Sequence, residues 1–155
     1  MIKAGILVDR LDGSQQGFCI TTAINNISSQ MINVDIIVFT QEFAAPPMSP
    51  LFATMPETDA WGFDGPIIAT NLRSATTLIN VVGPPKKYFY LWDLEWMRLE
   101  NFTHNELSKI YNNDALDLIA RSPKHNSLIQ KCWKTPSFIM DDFNHKTLLK
   151  VIKNA

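Results

Sequence analysis

The sequence holds only two cysteines, Cys19 and Cys132, far apart and without C-x-x-C spacing, which excludes a disulfide framework and a cysteine-based zinc site. Both fall in predicted helices beside apolar neighbours and read as small buried hydrophobes of a reducing compartment. Net charge is nearly absent, formally −1, so the basic stripe of a dedicated nucleic-acid binder is missing. The Lys86-Lys87 pair is too sparse for one, and Lys146, Lys150 and Lys153, at helical spacing, read as a solvated face. No apolar run approaches the ~20 residues of a membrane span. The short run after Lys3 is a strand rather than a signal-peptide core, and a cytoplasmic location is expected. His104, His125 and His145 have no partner at metal-ligand spacing and H-E-x-x-H does not occur. No metal and no cofactor is therefore expected, and without G-x-S-x-G a hydrolase elbow is excluded. Repeats and low-complexity segments are also missing.

What is present is an alternation of strands and helices. The chain of 155 residues is the size of one domain. Ala4 to Val8 is an apolar run with the character of a strand buried on both faces. A polar loop, Asp9 to Gly17, leads into a helix whose Ile20, Ile24, Ile27 and Met31 share one face. Val34 to Phe39 is a second strand, followed by a loop in which Pro46, Pro47 and Pro50 prevent regular structure. Leu51 to Thr54 is expected as a short edge strand, and Pro56 to Trp61 as a helical turn. Gly65 to Thr70 is the next strand. Asn71 caps a helix with Leu72, Ala75, Leu78, Ile79 and Val82 inward, stopped by Gly83-Pro84-Pro85.

The aromatic strand Lys87 to Leu91 runs into Trp92-Asp93-Leu94-Glu95-Trp96. A helix near Asn105 to Tyr111, a strand at Asp117 to Ala120 and a helix opened by Ser122-Pro123 follow; that helix points Leu128, Ile129 and Cys132 inward. Pro136 to Met140 is the last strand, and Asn144 to Lys153 a closing helix burying Leu148, Leu149 and Ile152. The alternation predicts an α/β fold: one doubly wound, mostly parallel, Rossmann-like sheet with helices on both faces.

In such a sheet ligands bind at the carboxyl ends of the strands, where the strand order reverses. The first strand ends in Asp9, Asp12, Gly13, Gln16 and Gly17. The second ends in Gln41 and Glu42, and the later ones in Thr70, Asn71 and Arg73, in Trp92, Asp93 and Glu95, in Arg121 and Ser122, and in Asp141 and Asp142. The glycine spacing is neither G-x-G-x-x-G nor a P-loop, and no acidic residue closes the second strand for a ribose contact. Two roles fit the loop: bare backbone that lets an anion approach the helix N-terminus, or a tight turn needing glycine. Trp92 and Trp96 are either stacking platforms for a sugar or base, or core aromatics four residues apart on a helical turn. Asp93 between them is a candidate general base. Arg73 and Arg121 are candidates to hold a phosphate, or members of surface ion pairs.

Three features together resemble the N-terminal Rossmann-like half of GT-B glycosyltransferases: the glycine-bearing loop after the first strand, the segment Ile67 to Thr70, and Leu118 to Ser122 followed by Phe138 to Asp142. The aromatic strand running into Trp92-Asp93 is similar to phage-type relatives. The resemblance implies the acceptor-side half of a sugar transferase. Asp93 and Asp12 would be catalytic, with Asp9, Gly13, Gln16, Gly17, Asn71, Arg73, Trp92, Glu95, Arg121 and Ser122 binding ligand. Its partners would be a nucleotide-sugar or glycan acceptor, and a second chain or further copy supplying the donor site. The alternatives are a module that binds a nucleotide or sugar phosphate without chemistry, and a structural or assembly protein.

Overall fold

The computed structural model describes residues 1–155. One seven-stranded, wholly parallel sheet runs in the order β3-β2-β1-β4-β5-β6-β7. The strands are β1 (Ile2–Arg10), β2 (Val34–Glu42), β3 (Ala53–Pro56), β4 (Ile67–Ala69), β5 (Lys87–Leu91), β6 (Asp117–Ala120) and β7 (Phe138–Ile139). The helices are α1 (Gln15–Gln30), α2 (Leu72–Asn80), α3 (His104–Tyr111), α4 (Pro123–Cys132) and α5 (His145–Lys153). The chain winds outward from β1 to β3, then returns to the other side of β1 and winds outward again through β7. The reversal falls between β1 and β4, which pair from Gly5–Ile67 to Leu7–Ala69.

Side chains alternate across the pleat, and this divides the core. Ala4, Ile6 and Val8 of β1 face α1 and α5, in a cluster of 20 buried residues. Leu7 of β1, with Ala69, Phe89 and Leu118, faces α2, α3 and α4 in a second cluster of 18. The near-equal clusters are the doubly wound arrangement expected. Each fully buried Ile or Leu contributes about 1.5–3 kcal/mol to holding the layers together. Gly5 has its own reason to lack a side chain, since a Cβ there would lie 2.8 Å from the Phe39 ring.

Several boundaries differ from expectation. The edge strand is displaced to Ala53–Pro56, because Ala53 is the first residue to pair with β2, at Ile37. No helix joins β2 to β3. The proline-bearing loop crosses α1 instead, held by Asn25, whose side chain donates to the Ser49 carbonyl (3.0 Å) and accepts from the Leu51 amide (2.8 Å). Helix α2 ends at Asn80, so its periodicity lapses: Val81 is buried, whereas Val82 points to solvent. Of the expected inward residues of α4 only Ile129 is fully buried; Leu128 is half-buried and Cys132 exposed. Met31 lies just past α1 and Leu149 is half-buried, Val151 taking the inward position on α5. The last strand shrinks to two residues. Cys19 is half-buried, and its thiol is pushed up, chiefly by burial. No helix is long and apolar enough to cross a membrane.

Candidate functional site

A polar cleft of about 370 Å³ opens at the reversal between β1 and β4. Its walls come from the end of β1 (Val8, Asp9, Arg10), the start of α1 (Asp12, Ser14, Gln16, Gly17), the end of β2 (Glu42) and the start of α2 (Thr70, Asn71, Arg73). Sequence neighbours do not build it; the strand order does. The Thr70 hydroxyl donates to the Leu7 carbonyl (3.1 Å), and the Gln16 side-chain amide donates to the Thr70 carbonyl (2.9 Å). Gln16 thus ties the start of α1 to the end of β4 across the cleft.

The loop between β1 and α1 is fixed by its own hydrogen bonds. Asp12 accepts from the Ser14 amide (3.0 Å) and from Arg10 Nε (3.1 Å). The hydrogen bonding from Ser14 is the main reason its carboxyl is held below the usual range, Arg10 adding to the effect. Ser14 in turn caps α1 by accepting from the Gly17 amide (3.1 Å). Gly17 packs so closely that a Cβ would lie 2.1 Å from the Asp12 carbonyl oxygen, whereas nothing lies within 4 Å of one at Gly13. Glycine is required at position 17 by the turn itself. On the opposite wall Asn71 caps α2 through the Ser74 amide (2.8 Å), with Ser74 Oγ returning the bond.

Two groups in the cleft are left unpaired. Asp9 Oδ1 is buried and has no hydrogen-bond partner. Arg73 is exposed and takes no part in an ion pair. Arg10, by contrast, lies between Asp12 and Glu42, 3.1 and 4.0 Å away. A buried carboxylate oxygen without a donor is unfavourable in the free protein, and such a group points to a ligand that supplies one.

No family model, curated protein or solved structure matches the chain.

Of the residues singled out in the sequence, Asp9, Asp12, Gln16, Gly17, Asn71 and Arg73 line this one cleft. Glu42 and Thr70, also at strand ends in the sequence, line it too, and Arg10 and Ser14 join them. Glu42 corrects an expectation: β2 runs three residues past Phe39, and an acidic residue does close it, facing the cleft. Pairing of Val8 with Thr40 and Arg10 with Glu42 extends both strands together.

The remaining residues lie elsewhere on the carboxyl edge. Asp93 is exposed and ion-paired with Arg98 Nη2 at 2.6 Å. Trp92 and Trp96 do not share a helical face, because only Glu95–Met97 makes a short 3-10 turn. Trp92 packs against the α1/α5 side and Trp96 against the α2–α4 side, where its ring meets Tyr111 edge-on at 5.1 Å. Arg121 lies over the Trp92 ring, 3.7 Å from its centre, and donates from Nε and Nη2 to Asp142 (2.8 and 2.7 Å). Ser122 caps α4 through the His125 amide. Glu95 accepts from the Leu72 amide (3.0 Å) at the start of α2, and burial is the main cause of its raised pKa.

Beside Arg121, Asp142 and Phe143 adopt left-handed backbone (φ 44° and 57°). Such residues are held only where the surroundings fix them. Here Tyr90 does so: its buried hydroxyl donates to the Met140 carbonyl (3.0 Å) and accepts from the Phe143 amide (3.1 Å). Burial raises the Tyr90 pKa far above the ordinary phenol range, so it stays a donor.

Proposed function

We propose that the chain is a small-molecule-binding domain whose cleft between β1 and β4 takes a hydroxylated, anionic ligand of the nucleotide or sugar-phosphate class. The observation that carries this reading is Asp9 Oδ1, buried and unpartnered in the cleft wall. A sugar hydroxyl would supply the missing donor. Arg73, without a counter-ion, stands on the same cleft beside the first turn of α2, where a phosphate would be neutralised.

A role in sugar transfer, as the GT-B resemblance implies, is a second reading that the same carboxylate favours. Asp12 is fully engaged by Ser14 and Arg10, and Asp93 is paired with Arg98 in solvent. Asp9 is then the carboxylate free to accept a proton from an acceptor hydroxyl. The donor sugar would be held by a partner chain.

A thermal-shift screen against glucose 1-phosphate, uridine monophosphate and UDP-glucose, with glucose and phosphate as separate controls, tests the first reading. A ligand at a hundred times its Kd adds about 2.7 kcal/mol, or roughly 5–11 °C for a chain of this size. A shift that Asp9→Asn roughly halves is expected. A flat screen overturns the reading.

A further inference from the structure

The first turn of α2 has a second side. Leu72 and Thr77 of α2, Leu99 and Phe102 of the segment before α3, and Ile110 of α3 line a cavity of about 470 Å³, with Glu95 in its wall. It is larger than the polar cleft, and its lining is largely apolar. Leu72 and Ile110 are buried in its floor, while Phe102 (43% exposed) stands out at its edge. The Phe102 ring at its rim is left partly in solvent.

Arg73 lines both spaces and is the one residue to do so. Asn71 before it faces the cleft, and Leu72 between them faces the cavity. The charge arrangement sorts a ligand between the two. Glu95 already satisfies the Leu72 amide at 3.0 Å, so the helix start offers that donor to no anion, and the carboxyl repels one. An anionic group is favoured at Arg73, and an uncharged apolar group beyond it.

Building on the polar-ligand reading, we infer that cleft and cavity form one bipartite site joined at Arg73. Its ligand has a sugar- or nucleoside-type head in the cleft, a phosphate at Arg73, and an apolar group in the cavity against Leu99, Phe102 and Ile110. The apolar group is an alkyl chain or an aromatic ring, and the two are separated by the choice of probe.

Isothermal titration calorimetry with glucose 1-phosphate, its octyl phosphodiester and its phenyl phosphodiester tests this. At least one diester is expected to bind ten or more times as tightly as glucose 1-phosphate. A larger gain for octyl identifies a lipid-like group and a larger gain for phenyl an aromatic one. Thr77→Trp, which fills the cavity, and Leu99→Asn, which makes it polar, should each remove the gain and leave glucose 1-phosphate affinity within twofold. Urea denaturation of both variants confirms that they fold. Diesters no tighter than glucose 1-phosphate, or a gain that survives both substitutions, overturn the bipartite site while the polar cleft stands. Binding of none of the three probes overturns the bipartite site, and together with no shift from uridine monophosphate or UDP-glucose it overturns the polar-ligand reading itself.

Discussion

Replacing Asp9 by Asn should separate the needs of folding from those of binding. In the free protein Asp9 Oδ1 is buried without a donor, although the residue as a whole is half-buried and its charge is partly hydrated. An unsatisfied buried polar group is unfavourable by about 1–3 kcal/mol, and partial hydration argues for the lower end. Asparagine keeps the shape and removes the charge. Asp9→Asn should therefore be as stable as the natural chain or more so, by up to about 1 kcal/mol, which is roughly 2–4 °C in Tm. The same change turns a charge-assisted hydrogen bond to the ligand into a neutral one, a loss of about 1–1.5 kcal/mol, so affinity should fall roughly 5- to 13-fold. Urea denaturation without ligand gives the first quantity and calorimetry with glucose 1-phosphate the second. An unchanged urea slope would show that the unfolded state is not the cause. Loss of more than about 1 kcal/mol of stability with affinity unchanged would refute the reasoning and make Asp9 a structural carboxylate.

Three further outcomes follow from the geometry. Gly17→Ala should be strongly destabilising, by several kcal/mol, because its Cβ would meet the Asp12 carbonyl oxygen at 2.1 Å, whereas Gly13→Ala should lie within about 0.5 kcal/mol of the natural chain in urea denaturation. Tyr90→Phe leaves the buried Met140 carbonyl and Phe143 amide without their partner, so a loss of about 2–4 kcal/mol is expected from chemical denaturation. Glu95 is held above its ordinary value of 4.5, mainly by burial. Its contribution to stability is therefore present below the unfolded value and lost as pH rises through the folded one. Glu95→Gln, which can still accept from the Leu72 amide, should flatten that decline in a series of urea midpoints between about pH 4 and pH 8; an unchanged profile would contradict it.

The layers of the fold were legible because they rest on local patterns. The alternating buried faces of β1, the Ile20-Ile24-Ile27 stripe, and the caps at Ser14, Asn71 and Ser122 are each contained within a few residues. Misplacements arose where a distant contact overrides the pattern. The edge strand begins at Ala53 because β2 pairs there, and Val82 turns outward because α2 stops two residues before it.

The cleft was half legible for the same reason. Asp9 and Asn71 each stand at a strand end, but their meeting depends on β1 and β4 being neighbours, which no local pattern states. Glu42 stood at a strand end in the sequence, but its place on the cleft was not legible, because β2 gains its last residues only by pairing with the extended end of β1. Asp93 drew notice through its tryptophan neighbours. Those tryptophans go to opposite sides of the sheet, and the carboxylate between them meets Arg98 in solvent. The left-handed backbone at Asp142 and Phe143 left no mark in the sequence, since neither residue is glycine.

On this reading the cleft at the strand reversal is the ligand site. Amide chemical shifts of the isotopically labelled chain, followed through a titration with glucose 1-phosphate, test it most directly. Saturable shifts centred on Arg10, Gln16, Thr70, Asn71 and Arg73 are expected, needing several-fold more ligand in Asp9→Asn, with Arg98 and Ser122 unmoved. Saturable shifts centred on Asp93, Arg121 and Ser122 instead would contradict it and move the site to the far end of the sheet.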